Sequence, residues 1–191
     1  LVNAGAGQLR LDALGLVTLG QLRSSYAGEL SITGAGVRAQ ADGVTDILAA
    51  NANLRITSSG GIGTLSSPLE TQVKNMNLWN TDPGTSVIIV EQLSTVELTQ
   101  VRQQGTGAVD VRTLAGDITV LDLGGSLTDG IWATSGSVSL YAGKGAVNLY
   151  EDIRTTGGGV SVVDGETLQQ RNVTNLADAM VELKEMGYVL I

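Results

Sequence analysis

Two neighbouring phrases, Gly107-Ala108-Val109-Asp110-Val111 and Gly116-Asp117-Ile118-Thr119-Val120, hold the key to the architecture. Each reads glycine, any residue, aliphatic, any residue, aliphatic. The pair returns as Gly136-Ser137-Val138-Ser139-Leu140 and Gly145-Ala146-Val147-Asn148-Leu149. Alternating aliphatics mark a strand with one buried face. The leading glycine is expected to turn the corner, because glycine enters φ > 0 freely. Within each pair the phrases start nine residues apart, at 107 and 116 and at 136 and 145. That is too short for a strand, helix, strand crossover. It suits two short strands joined by a sharp bend.

The same pairing runs back to the start of the chain. Gly7-Gln8-Leu9-Arg10-Leu11 precedes Gly15-Leu16-Val17-Thr18-Leu19, and Gly28-Glu29-Leu30-Ser31-Ile32 precedes the degraded Gly36-Val37-Arg38-Ala39. Ala52-Asn53-Leu54-Arg55-Ile56 precedes Gly61-Ile62-Gly63-Thr64-Leu65, and Thr85-Ser86-Val87-Ile88-Ile89 precedes Ser94-Thr95-Val96-Glu97-Leu98. Gly158-Gly159-Val160-Ser161-Val162 opens a final copy. First members begin at 7, 28, 52, 85, 107, 136 and 158, so the intervals are 21, 24, 33, 22, 29 and 22. A third apolar segment follows most pairs: Leu22, Ile47 and Leu48, Leu69 and Val73, Val101, Ile131, Ile153. Three strands in each turn of about 22 residues describe a solenoid, in which neighbouring turns bury each other's faces. The expected fold is all-β: a right-handed parallel β-helix of six to seven coils. At a rung spacing of about 4.8 Å it forms a rod on the order of 30 Å long.

Two turns carry extra residues, read as loops over 66–84 and 124–134; Trp79 and Trp132 fall in them. Near the end the spacing changes. Leu176, Met180, Leu183 and Met186 recur at helical intervals, with Asn175 as a cap and Gly187 as a stop. This predicts a β-helix over 1–170 and a short C-terminal α-helix within 171–191. That segment either covers the open strand edges or begins another module.

Composition narrows the function. Hydrophobics make up 42% of the 191 residues but aromatics only 3%, with no Phe and 26 Gly. Such a chain packs thin aliphatic layers rather than a wide core. The net charge of −8 argues against a nucleic-acid partner, which needs a basic face. With no Cys and no His, disulfides, thiol chemistry, His-based metal sites and ordinary Ser-His-Asp triads are excluded. No apolar run approaches the roughly 20 residues of a membrane helix, so no membrane insertion is expected. The chain starts at Leu1 without a signal pattern, which fits a segment of a larger polypeptide.

Gly61-Ile62-Gly63-Thr64, then Pro68-Leu69, then Thr71 and Val73, together resemble a phrase of filamentous-haemagglutinin-like β-helices from giant bacterial surface proteins. Asp152-Ile153-Arg154-Thr155-Thr156-Gly157-Gly158-Gly159-Val160 is similar to another typical stretch, and the resemblance covers roughly residues 5–165. It implies a secreted or cell-surface bacterial location and an adhesive or scaffolding role.

Three chemistries compete with that reading. Asp110, Asp117 and Asp122 lie on adjacent segments near Arg112, and a carboxylate pair could hydrolyse or cleave a polysaccharide. Strand alternation is the preferred explanation, since most outward positions of the exposed strands are polar. Asp42, Asp82 and Asp129 are isolated turn residues without the Gly-Gly-x-Gly-x-Asp repeat of calcium-binding rolls, so no metal or cofactor is expected. Trp79 and Trp132, with Tyr141 and Tyr150, could stack on a glycan ring or cover apolar loop atoms. Trp79 and Trp132 are the candidate ligand contacts. The expected function is non-catalytic: a rigid spacer or binding scaffold of an exported bacterial surface protein. Its partner would be a host-cell or matrix glycan or protein, or another copy of itself. The alternative is a polysaccharide-degrading β-helix enzyme.

Overall fold

The computed structural model describes residues 2–40, 43–124 and 130–165. They form a parallel β-solenoid of about seven turns. Every pairing between named strands is parallel, because each strand meets its counterpart one turn later. Asp42, Asp129 and the C-terminal helix expected from residue 176 lie outside the described residues.

Columns of stacked residues define the walls. One column runs Leu9, Leu30, Leu54, Met76, Leu98, Val120, Leu149. Beside it on the same wall runs Ile32, Ile56, Leu78, Val101, Ile131, Ile153. The second wall stacks Val17, Val37, Ile62, Ile88, Val109, Val138, Val160. The third stacks Val2, Leu22, Ile47, Thr71, Gln92, Thr113, Ala142, Asp164. Aliphatic members from the middle turns are fully buried, and together they form one continuous core. Narrow walls leave room for Val, Ile and Leu but not for rings, which accounts for the near absence of aromatics.

The stacking corrects the phase read from sequence. Thr85-Ser86-Val87-Ile88-Ile89 does not continue the stack of Leu54; Met76 does. Residues 69–80 are not a loop but a 12-residue strand, Leu69–Asn80, whose Met76 and Leu78 form the missing rung. Along the Leu9 column the intervals become 21, 24, 22, 22, 22 and 29, and the 33-residue turn disappears. Residues 130–133 are likewise a strand, Gly130–Ala133.

The cross-section changes along the rod. In the early turns the first wall is one strand, as in Glu29–Gly34, while the second and third are separate. Strand Ile88–Gln92 then continues both, since Ile88 bridges Ile62 while Val90 and Gln92 pair with Leu69 and Thr71. In the same turn, Thr99 bulges out of strand Val96–Gln103 and donates Oγ1 to the Met76 carbonyl at 2.9 Å. Above that point the first wall divides into strands such as Ile118–Val120 and Gly130–Ala133. First members of the late pairs therefore stack on second members of the early ones. The third segments Val101, Ile131 and Ile153 belong to a different wall from Leu22, Ile47 and Leu69.

Two polar ladders lie inside the corners. Gly61 N donates to Asn80 Oδ1 at 3.1 Å, and Asn80 Nδ2 donates to Gln103 Oε1 at 2.9 Å and Ser86 Oγ at 3.0 Å. In the other corner Thr71 Oγ1 donates to Gln92 Oε1 at 2.7 Å, and Gln92 Nε2 donates to the Val73 carbonyl at 2.7 Å. Chains that turn inside a core expose backbone groups to it, and these amides satisfy them. Corner glycines have two different causes. Gly61 and Gly63, at φ 89° and 66°, need the left-handed region. Gly136 does not; a Cβ there would stand 1.9 Å from the Gly107 carbonyl oxygen. Close backbone approach, rather than φ > 0, keeps that column of corners glycine.

Candidate functional site

Alternation along the first wall sends every second side chain to solvent. One outward column runs Asn53, Asn75, Glu97, Thr119, Asn148. The next runs Ser31, Arg55, Asn77, Gln100. A third runs Thr33, Thr57, Trp79, Arg102, Trp132, Arg154.

The third column unites the two candidate tryptophans, which lie 53 positions apart in sequence and two rungs apart in space, on strands rather than loops. Arg102 stands between them, and its guanidinium carbon lies 5.6 Å from the centre of the Trp132 ring, a cation–π distance. Trp132 keeps 41% of its surface exposed, whereas Trp79 is half-buried. Trp79 Nε1 and Arg102 Nε are enclosed without a hydrogen-bond acceptor among the described residues. Beside the column, Asn77 Nδ2 donates to Gln100 Oε1 at 3.4 Å. At the last described rung Arg154 pairs with Asp152, Nη2 to Oδ2 2.5 Å.

Sequence reading missed Arg102. The signal was present: steps of about one turn from Thr57 lead to Trp79 and then to Arg102. It was hidden by the misassigned 33-residue turn.

The other candidates do not join this column. Asp110 lies on the fused wall, on strand Val109–Thr113, and accepts from Arg112 Nε at 2.9 Å and from Arg112 Nη2. That hydrogen bond raises the Arg112 pKa, against the opposing effect of its burial. Asp117 and Asp122 flank strand Ile118–Val120 on the divided wall. Asp117 Oδ1 accepts from Ala146 N at 2.9 Å on the next turn, and Asp122 Oδ1 from Gly124 N at 2.7 Å. Each carboxylate fastens local backbone or a neighbouring arginine. Asp82 accepts from Gly84 N at 2.9 Å and from the Ser86 hydroxyl, a turn lock. Among the described residues no three Asp or Glu converge as metal ligands would. Tyr141 lies in register with Arg112 one turn along, and Tyr150 is exposed after strand Val147–Leu149.

Compared with known proteins, the chain matches no family model, no curated protein and no solved structure.

Proposed function

We propose that the chain is a non-catalytic structural and adhesive segment of a large exported bacterial surface protein. One observation carries the reading: unbroken columns in which each turn is hydrogen-bonded to the next and presents its outward residues at a fixed rung spacing of about 4.8 Å. Such a body transmits force along its axis and offers long, flat, regular walls. The carboxylates that would serve a depolymerase are each held by a local partner. The resemblance of residues 61–73 and 152–160 to filamentous-haemagglutinin-like repeats supports export to the cell surface.

The test uses the whole chain on beads, presented to host cells and to purified matrix glycans. Retention above that of beads carrying a fold-breaking variant supports the reading, as does self-association of the free chain. Shortening of polysaccharides incubated with the chain would replace it with the lyase or glycosidase alternative. An antibody against the chain should label the surface of the bacteria that make it.

A further inference from the structure

We infer that the outward face around Trp79, Arg102 and Trp132 binds an extended glycan of cellulose-like or chitin-like geometry, lying along the solenoid axis. The inference rests on the adhesive reading and gives it a ligand class. Its first support is period. Outward side chains recur once per rung, about every 4.8 Å, close to the advance of one pyranose ring in an extended chain. In a cellulose-like chain successive rings are turned over, so the same ring face returns at every second unit. The two tryptophans likewise stand at alternate rungs, with Arg102 on the rung between.

The second support is chemistry. Sugar rings offer apolar C–H faces and hydroxyls that both donate and accept. Indole rings suit the first. Primary amides, with donor and acceptor on one group, suit the second; Asn77 and Gln100 line the adjoining column and Asn75 the one beyond it. The third support is the pair of enclosed donors, Trp79 Nε1 and Arg102 Nε, which have no acceptor among the described residues. Enclosed donors without partners call for an explanation. If a ligand hydroxyl displaces the Arg102 side chain from the column, these two donors gain hydrogen bonds instead of exchanging them.

The chain holds only two Trp, and both are in this column, so intrinsic Trp fluorescence reports on this face alone. The experiment titrates the full chain with cellohexaose and with chitohexaose, each against its monosaccharide, and follows emission. Saturable change with at least one hexamer and none with the monosaccharides is expected. Trp132→Ala, at an exposed position, should bind about ten-fold or more weakly while keeping the β circular dichroism of the parent. Trp79→Phe, which retains a ring, guards against loss of fold. Absence of any emission change up to about 10 mM hexamer, or an unchanged affinity in Trp132→Ala measured by calorimetry, overturns the inference. Mass spectrometry of the same mixtures separates the two readings. Shortened hexamers overturn the non-catalytic reading, whereas intact and unbound hexamers overturn only the ligand class.

Discussion

Asn80 Nδ2 donates to Gln103 Oε1 at 2.9 Å between adjacent turns of the solenoid, with both side chains inside the corner and almost wholly shielded from water. The same Asn80 accepts from Gly61 N through Oδ1. One amide therefore ties three successive turns together at the place where the backbone bends away from ladder pairing.

Removing it should be costly. Asn80→Ala leaves Gly61 N and Gln103 Oε1 without these partners, at about 1–3 kcal/mol for each buried group. We expect a loss of roughly 2–4 kcal/mol in urea unfolding. Asn80→Asp should do worse at neutral pH, because a carboxylate oxygen would face the Ser86 carbonyl and Gln103 Oε1, and it should recover partly as acid protonates it. A variant as stable as the parent would remove the ladder's structural role.

Glycine positions should separate cleanly into two classes. At Gly136 an added Cβ meets the Gly107 carbonyl oxygen at 1.9 Å; at Gly15 it meets nothing within 4 Å. Gly136→Ala should cost about 3 kcal/mol or more. Gly15→Ala should fall within about 0.5 kcal/mol of the parent or gain slightly, through a less disordered unfolded chain. Paired urea midpoints check the contrast.

Asp82 gives a sign for acid sensitivity. The Ser86 hydroxyl, then the Gly84 amide, hold its carboxylate form and lower its pKa below the usual aspartate range, against a smaller opposing effect of desolvation. A depressed folded pKa gives stability that is present above the unfolded pKa and lost as pH falls through the folded one. Asp82→Ala should therefore lower stability at pH 7 and flatten the pH dependence below about pH 4. An unchanged acid limb would show that the Ser86 contact does not form in solution.

Arg102→Ala should uncover Trp132. The emission maximum should shift to the red as the indole gains water, with a stability loss of about 0.5–1 kcal/mol, the usual worth of an exposed cation–π pair. Unchanged emission would place Arg102 away from the ring.

The parallel solenoid was legible because alternation in phrases such as Gly136-Ser137-Val138-Ser139-Leu140 reports burial directly, and Val109 does lie in register with Val138. The phase was not legible. In Thr71-Gln72-Val73-Lys74-Asn75-Met76 the inward positions include Thr, and no glycine leads the phrase, so a strand resembled a loop. Inward Asn80, Gln92 and Gln103 disguised strand ends as surface for the same reason. The Trp79, Arg102, Trp132 column could be found only once that phase was right, since it depends on counting turns across residues 52–85.

The most direct test places one spin label at each end of a single outward column. Glu29 and Asn148 are separated by 119 residues of sequence but by five rungs, through Asn53, Asn75, Glu97 and Thr119. The chain has no native Cys, so Glu29→Cys and Asn148→Cys can be labelled cleanly. The stacked solenoid predicts one narrow distance distribution centred near 24 Å between backbones, five steps of about 4.8 Å. A broad distribution, or a centre displaced by more than the reach of the labels, would contradict it.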